Sequence, residues 1–128
     1  MTNYFLAFSR ISLGFIFLIA GINGYFVIFN LEPFIATSPE AMALFEFQYL
    51  LIIEKALEII CGLLLLSNRF IPFALSILAP ITTNILLLHI FLDHSLLLLA
   101  ILIVALHAFM FFCFRKSFSG IFEKKPSL

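Results

Sequence analysis

An all-α transmembrane four-helix bundle with both termini in the cytoplasm is the fold that this sequence predicts, and three observations predict it. Hydrophobic residues make up 64% of the 128 positions and charged residues only 11%, whereas soluble domains are nearer one half and one quarter. The few charges are clustered, which leaves four apolar stretches of the length, about 20 residues, that crosses a bilayer core of about 30 Å as a helix. Basic residues fall on one side of these stretches only.

The stretches cover residues 4–29, 48–66, 71–92 and 95–114. Strands do not fit them. A membrane barrel needs short segments alternating between apolar and polar residues, and runs such as Leu63–Leu66 and Leu96–Leu102 do not alternate. In lipid a helix satisfies its own backbone. The first stretch also reads as a retained helix rather than a secretory leader, because apolar Tyr4–Phe8 precede Arg10 and no clear small-residue cleavage motif follows. No repeat longer than the helical period is visible, so residues 1–128 form one membrane domain.

Turn chemistry separates the stretches. Asn30, Pro33 and Pro39 interrupt the first connection, where Ser38-Pro39-Glu40 predicts an N-cap, a helix-opening proline and an acid that suits the helix dipole. A short surface helix over residues 39–47 is expected there. Ser67-Asn68-Arg69, followed by Pro72, predicts a tight second turn, and Asp93-His94-Ser95 a third. Pro80 falls inside the third helix and should kink it.

Orientation follows from the lysines and arginines. Arg69 and the tail residues Arg115, Lys116, Lys124 and Lys125 occupy one side, with Arg10 near the same end of the first helix. The opposite connections carry Glu32, Glu40, Glu46 and Asp93 and no basic residue. The positive-inside rule then places both termini in the cytoplasm, with the tail held near anionic lipid. Seven basic and seven acidic residues sum to zero net charge, which gives no footprint for nucleic acid.

Polar groups inside the stretches are the candidate functional residues, since intramembrane ions are costly and face other helices or a water-filled path. They are Arg10 in the first helix, Glu54, Lys55 and Glu58 in the second, Thr82, Thr83, Asn84 and His89 in the third, and His107 in the fourth. Arg10, Gly14, Phe17, Gly21 and Gly24 step by three and four residues and share a stripe, whose glycines allow close helix approach. Lys55, Glu58 and Gly62 share a face of the second helix, with Glu54 one turn from Glu58. Antiparallel helices put Glu54, Lys55, Asn84 and His89 in the outer half of the membrane and Glu58 near its middle. Asn84 and His89 lie about 140° apart around their helix, so they cannot both face one partner. Two readings follow for Arg10, Glu54, Lys55, Glu58, Asn84 and His89. They neutralise one another and bridge helices, or they form a proton or ligand site near the midplane. His107 reads as a bridging residue.

Other chemistry is not indicated. Cys61 and Cys113 form no CxxC pair and lie toward the cytoplasmic side, where disulfides are disfavoured, so they read as packing residues. Histidines and cysteines are too scattered for a metal centre, and His94 has no evident second ligand. There is no Gly-rich phosphate loop and no Ser-His-Asp arrangement.

The ordered set of Arg10-x-x-x-Gly14, Ala20-Gly21-Ile22-Asn23, the run from Lys55 to Leu66 containing Glu58 and Gly62, Arg69-Phe70-Ile71-Pro72, Ala79-Pro80-Ile81 and the segment from Asn84 to His89 resembles the DoxX-like family of small four-helix bacterial membrane proteins. The likeness covers nearly the whole chain, with Arg10, Lys55, Glu58, Asn84 and His89 at matching positions. Relatives often carry a basic residue where this chain has Gly24, and Glu54 and the region of Gln48 also depart from the pattern. The resemblance implies a bacterial inner-membrane protein acting as an accessory or structural subunit linked to quinone-dependent redox chemistry, rather than a stand-alone enzyme. A quinone is the cofactor it suggests, and a redox complex or a homo-oligomer the assembly. The rival expectations are a quinone-binding oxidoreductase subunit that uses the Glu58 cluster, and a small proton-linked transporter or channel built as an oligomer.

Overall fold

The computed structural model describes residues 2–33, 48–121, 123–125 and 127. The helix expected over residues 39–47 lies outside them. Four long helices account for most of the described chain: α1 (Thr2–Ile28), α2 (Gln48–Ser67), α3 (Ile71–Phe91) and α4 (Leu97–Cys113). Short 3₁₀ turns at His94–Leu96 and Arg115–Phe118 flank α4. Three helical segments are long and apolar enough to cross a membrane, namely Asn3–Ile28, Ile71–Phe91 and His94–Cys113. The α2 helix is of similar length but carries Glu54, Lys55 and Glu58, which sets it apart from those three.

Two of the helices stop at asparagines, by one device. Asn30 adopts φ 59°, its N–H donates to the Val27 carbonyl, and the Leu31 N–H reaches back to Phe26. Asn68 repeats this with φ 58°, an N–H to Leu65 and the Arg69 N–H to Leu64. This is the left-handed C-terminal cap in which two late carbonyls are satisfied, and asparagine enters that region more readily than most residues. After Asn68 the turn is tight: Phe70, also left-handed at φ 52°, leads directly into α3 with a proline in the first turn. Asp93 accepts from the Ser95 N–H and so opens the 3₁₀ turn before α4. The α3 helix continues through Pro80.

In space the helices form a ring in chain order, with α1 against α2 and α4, and α3 against α2 and α4. The core contains Leu13 and Phe17 of α1, Cys61 and Leu65 of α2, Ile71, Ala74, Leu75 and Leu78 of α3, and Ile103 and Met110 of α4. Large apolar side chains also cover the outside, among them Phe5, Phe8, Phe15, Ile60, Leu63, Leu98, Ile101 and Phe112. A chain apolar on both inner and outer faces suits lipid rather than water.

The α1–α2 pair is the tightest. A Cβ placed on Gly62 would lie 2.9 Å from both the Gly14 carbonyl oxygen and the Leu18 nitrogen, and one placed on Gly21 would lie 2.9 Å from the Lys55 carbonyl oxygen. Only hydrogen fits where backbone meets backbone at this distance. Gly14 meets Gly62 and Leu66, while Gly24 meets Lys55, so the two helices run antiparallel. Replacing Gly62 by valine should force α1 and α2 apart and destabilise the fold by about 1–3 kcal/mol. Leu98→Ala, on the outer face of α4, should change stability by less than about 0.5 kcal/mol. Thermal unfolding of both variants in detergent checks the contrast, and equal midpoints would show that the glycines set no contact distance.

Candidate functional site in the polar groups of the helices

The polar residues singled out in the sequence do not converge on one point; they divide among four places, the last of them the His107–Thr82 bridge. At the first, Lys55 and Glu58 pair. Lys55 Nζ lies 3.2 Å from Glu58 Oε2 and 3.4 Å from Oε1, across one turn of α2. Glu58 is 1% exposed. The Lys55 stem lies over Gly24, where a Cβ would collide with Cγ, Cδ and Cε. That glycine thus makes room for the methylenes while the ammonium stays with the carboxylate. In so enclosed a place the carboxylate depends on the cation beside it.

The second place is the ends of helices. Arg10 donates from one guanidinium nitrogen to the carbonyls of Leu65 at 2.6 Å and Leu66 at 3.1 Å. These belong to the last turn of α2, where carbonyls lack helical donors and the dipole favours a cation. The antiparallel offset explains why Arg10 is not beside Glu58. With Gly14 opposite Gly62 and Leu66, a residue one turn earlier in α1 faces the end of α2. Glu58 lies about 10 Å further along the helix axis. At the other end of the same pair the Tyr25 hydroxyl donates to the Ile52 carbonyl at 3.0 Å. His89 behaves like Arg10, but within its own segment: its Nδ1–H donates to the Asp93 carbonyl at 2.8 Å. His94 Nε2–H donates to the Ile90 carbonyl at 2.7 Å. Both histidines serve the end of α3 rather than the Glu58 pair.

The third place is an open groove of about 480 Å³ between α2 and α3, lined by Glu54, Pro80, Ile81, Thr83, Asn84 and Leu87. Glu54 and Asn84 therefore share a surface, and Asn84 is exposed on it. The Thr83 hydroxyl donates to the Ala79 carbonyl of its own helix at 2.9 Å.

The expected bridge by His107 is present. Its Nε2 lies 3.0 Å from the Leu75 carbonyl oxygen and its Nδ1 2.8 Å from Thr82 Oγ1, all buried. A carbonyl only accepts, so Nε2 carries the proton; in the neutral ring Nδ1 then accepts from the Thr82 hydroxyl. Phe111 stacks on the ring at 4.9 Å and in turn meets Phe118, at 4.8 Å, in the turn after α4. One imidazole thus joins α4 to two successive turns of α3, just before and after Pro80.

Sequence reasoning gave no role to Asn23 or Ser9, which are both buried in α1. Asn23 lies about 160° around α1 from Gly21, off the glycine stripe, so the stripe carried no signal for it. Cys61 is buried and Cys113 half-buried, and both are free thiols. Among the described residues no group of three or more His, Cys, Asp or Glu side chains could hold a metal ion. Compared with family models, curated proteins and solved structures, the chain matches none.

The Lys55–Glu58 geometry has a direct consequence. Glu58→Leu takes the carboxylate away from the buried pair and should cost about 3–5 kcal/mol, whereas Lys55→Met combined with Glu58→Leu should recover most of that loss. Glu58→Gln, which keeps a hydrogen-bonding group, should fall between wild type and Glu58→Leu. Denaturant or thermal unfolding in micelles orders the four proteins. A double variant no more stable than Glu58→Leu would mean that the two charges do not depend on each other.

Proposed function

We propose that this chain is a multi-pass membrane protein crossing the bilayer four times as a helical bundle, with both termini cytoplasmic, and that it works as a non-catalytic accessory subunit of the DoxX-like type in a bacterial inner membrane. Linkage to quinone-dependent redox chemistry is the role that the sequence resemblance brings with it. The observation that carries the accessory reading is how the ionisable groups are used. Arg10, Lys55, Glu58, His89 and His107 are each bonded to other groups of the same chain. Such groups hold a scaffold together. A reading in which Glu58 itself handles a quinone or protons is less well supported, because the groove between α2 and α3 is bordered by Glu54 rather than Glu58.

The four-crossing arrangement rests on three apolar helices, on the enclosure of the α2 ion pair, and on the placement of Arg69 and the basic tail at the end opposite Asp93. Single cysteines introduced at Glu32 and at His94, in a background with Cys61 and Cys113 replaced, should react with an impermeant maleimide added outside the cell. One at Arg69 should not react until the membrane is opened. External labelling at Arg69 would overturn the orientation.

The accessory reading has its own test. Deleting the gene should lower membrane quinone-reductase activity several-fold if the chain supports such a complex. Glu58→Gln, and separately the Cys61→Ala, Cys113→Ala double variant, should restore it. A Glu58→Gln protein that accumulates normally yet restores nothing would transfer the role to Glu58 as a proton or ligand group. A like failure of the double cysteine variant would show essential thiol chemistry.

A further inference from the structure

The outward faces of the helices differ in kind. Along α4 the exposed side chains include Leu98, Ile101, Leu102 and Phe112, all hydrocarbon, and lipid tails suffice to cover them. Along α3 the exposed face includes Ser76, Pro80, Thr83, Asn84 and Leu87, with Glu54 of α2 beside it across the groove. The two hydroxyls of that face are used within α3, Ser76 toward the Pro72 carbonyl and Thr83 toward Ala79. Among the described residues Asn84 and Glu54 have no such bond. A carboxylate and a carboxamide on one outward face are costly in hydrocarbon, and polar residues on membrane helices are met by other helices.

We infer that the groove between α2 and α3 is the interface of a homodimer, in which Glu54 of each copy accepts a hydrogen bond from the Asn84 amide of the other. This rests on the membrane-spanning reading given above. A second copy is the occupant because the face is complementary to itself. It offers an acceptor at Glu54 and a donor at Asn84, on neighbouring helices, and a two-fold axis through the groove brings the donor of one copy to the acceptor of the other. The groove's lining includes no lysine or arginine, so a neutral donor on this face is what meets each carboxylate. The Asn84 amide is that donor. Leu87, one turn beyond Asn84 on the same exposed face, then lies near its own counterpart.

Cross-linking in lipid decides the matter. In a protein with Cys61 and Cys113 replaced by alanine and reconstituted in liposomes, Leu87→Cys should form a maleimide-bridged dimer at least about tenfold more than Leu98→Cys on α4. Adding Asn84→Leu should reduce the Leu87 bridge about tenfold, the effect of losing one membrane hydrogen bond pair. Glu54→Gln keeps an acceptor oxygen and should preserve most of the bridge. Equal yields at Leu87 and Leu98, or a Leu87 bridge indifferent to Asn84→Leu, would overturn the dimer. The comparison of Leu87 with Leu98 leaves the polar pair intact, so it remains decisive even if Asn84→Leu does not fold. Resistance to alkaline carbonate extraction reports on membrane insertion separately. A chain that resists extraction yet bridges at neither position would refute the dimer and leave the spanning reading standing.

Discussion

The contact on which the rest of this structure depends is the backbone-to-backbone approach of α1 and α2. On the four-crossing reading the hydrophobic effect offers this pair little, since in lipid a neighbouring chain is no more apolar than the tails it displaces. Dispersion at short range and hydrogen bonds must hold the pair, and both require closeness. Gly14, Gly21 and Gly62 provide it by bringing no side chain of their own to the crossing, so that backbone and the side chains of Ile59 and Leu66 fit against them. Closeness in turn makes the Lys55–Glu58 pair tenable, because Gly24 admits the lysine stem against α1 while the carboxylate is enclosed. Arg10 at one end and Tyr25 at the other fix the sliding coordinate that glycine packing alone would leave loose.

The other half of the ring solves the same problem differently. Helices α3 and α4 contain no glycine, and they meet through larger side chains such as Leu75, Leu78, Ile103 and Met110. Directionality comes from a single imidazole. Because His107 takes a carbonyl before Pro80 and a hydroxyl after it, the α4 register is fixed against α3 at the point where proline removes a helical donor. The carbonyl that loses its donor is that of Ser76, and His107 grips its neighbour Leu75. One pair is thus positioned by what it lacks and the other by one polar residue, and neither requires a solvent-exposed charge.

The sequence was most informative where the physics is local. Gaps between charges marked the four helices to within a few residues, Asn30 and Asn68 marked helix ends, and the three- and four-residue steps of the glycines identified the face of α1 that meets α2. Partners were less legible. Arg10 could pair with any carboxylate by composition, yet it binds the Leu65 and Leu66 carbonyls, and a backbone acceptor has no signature in a residue string. The same holds for His89 and Asp93. Placing Glu54 in a groove with Asn84 that Glu58 does not line depends on which side of α2 the third helix packs against, and that is decided by lateral packing that periodicity does not encode. His107 was legible as a bridge, but its two acceptor and donor partners were not.

The charges of α2 make the order of interactions matter. Carried alone into hydrocarbon, Lys55 and Glu58 would each add a few kcal/mol of insertion cost. The two groups pair within α2 itself, and packing against α1 encloses that pair between the helices. On the four-crossing reading, α1 and α2 are therefore a unit: the apolar helix carries the charged one, and the charged one gives the apolar one its directional contacts through Arg10 and Tyr25. Glu54 is the exception within that unit. Its side chain borders the groove with Asn84, about 80° around α2 from Gly62, and the glycine contacts do not include it. A polar group that the fold's own strongest contact leaves unserved has to be accounted for by whatever lies beyond α3.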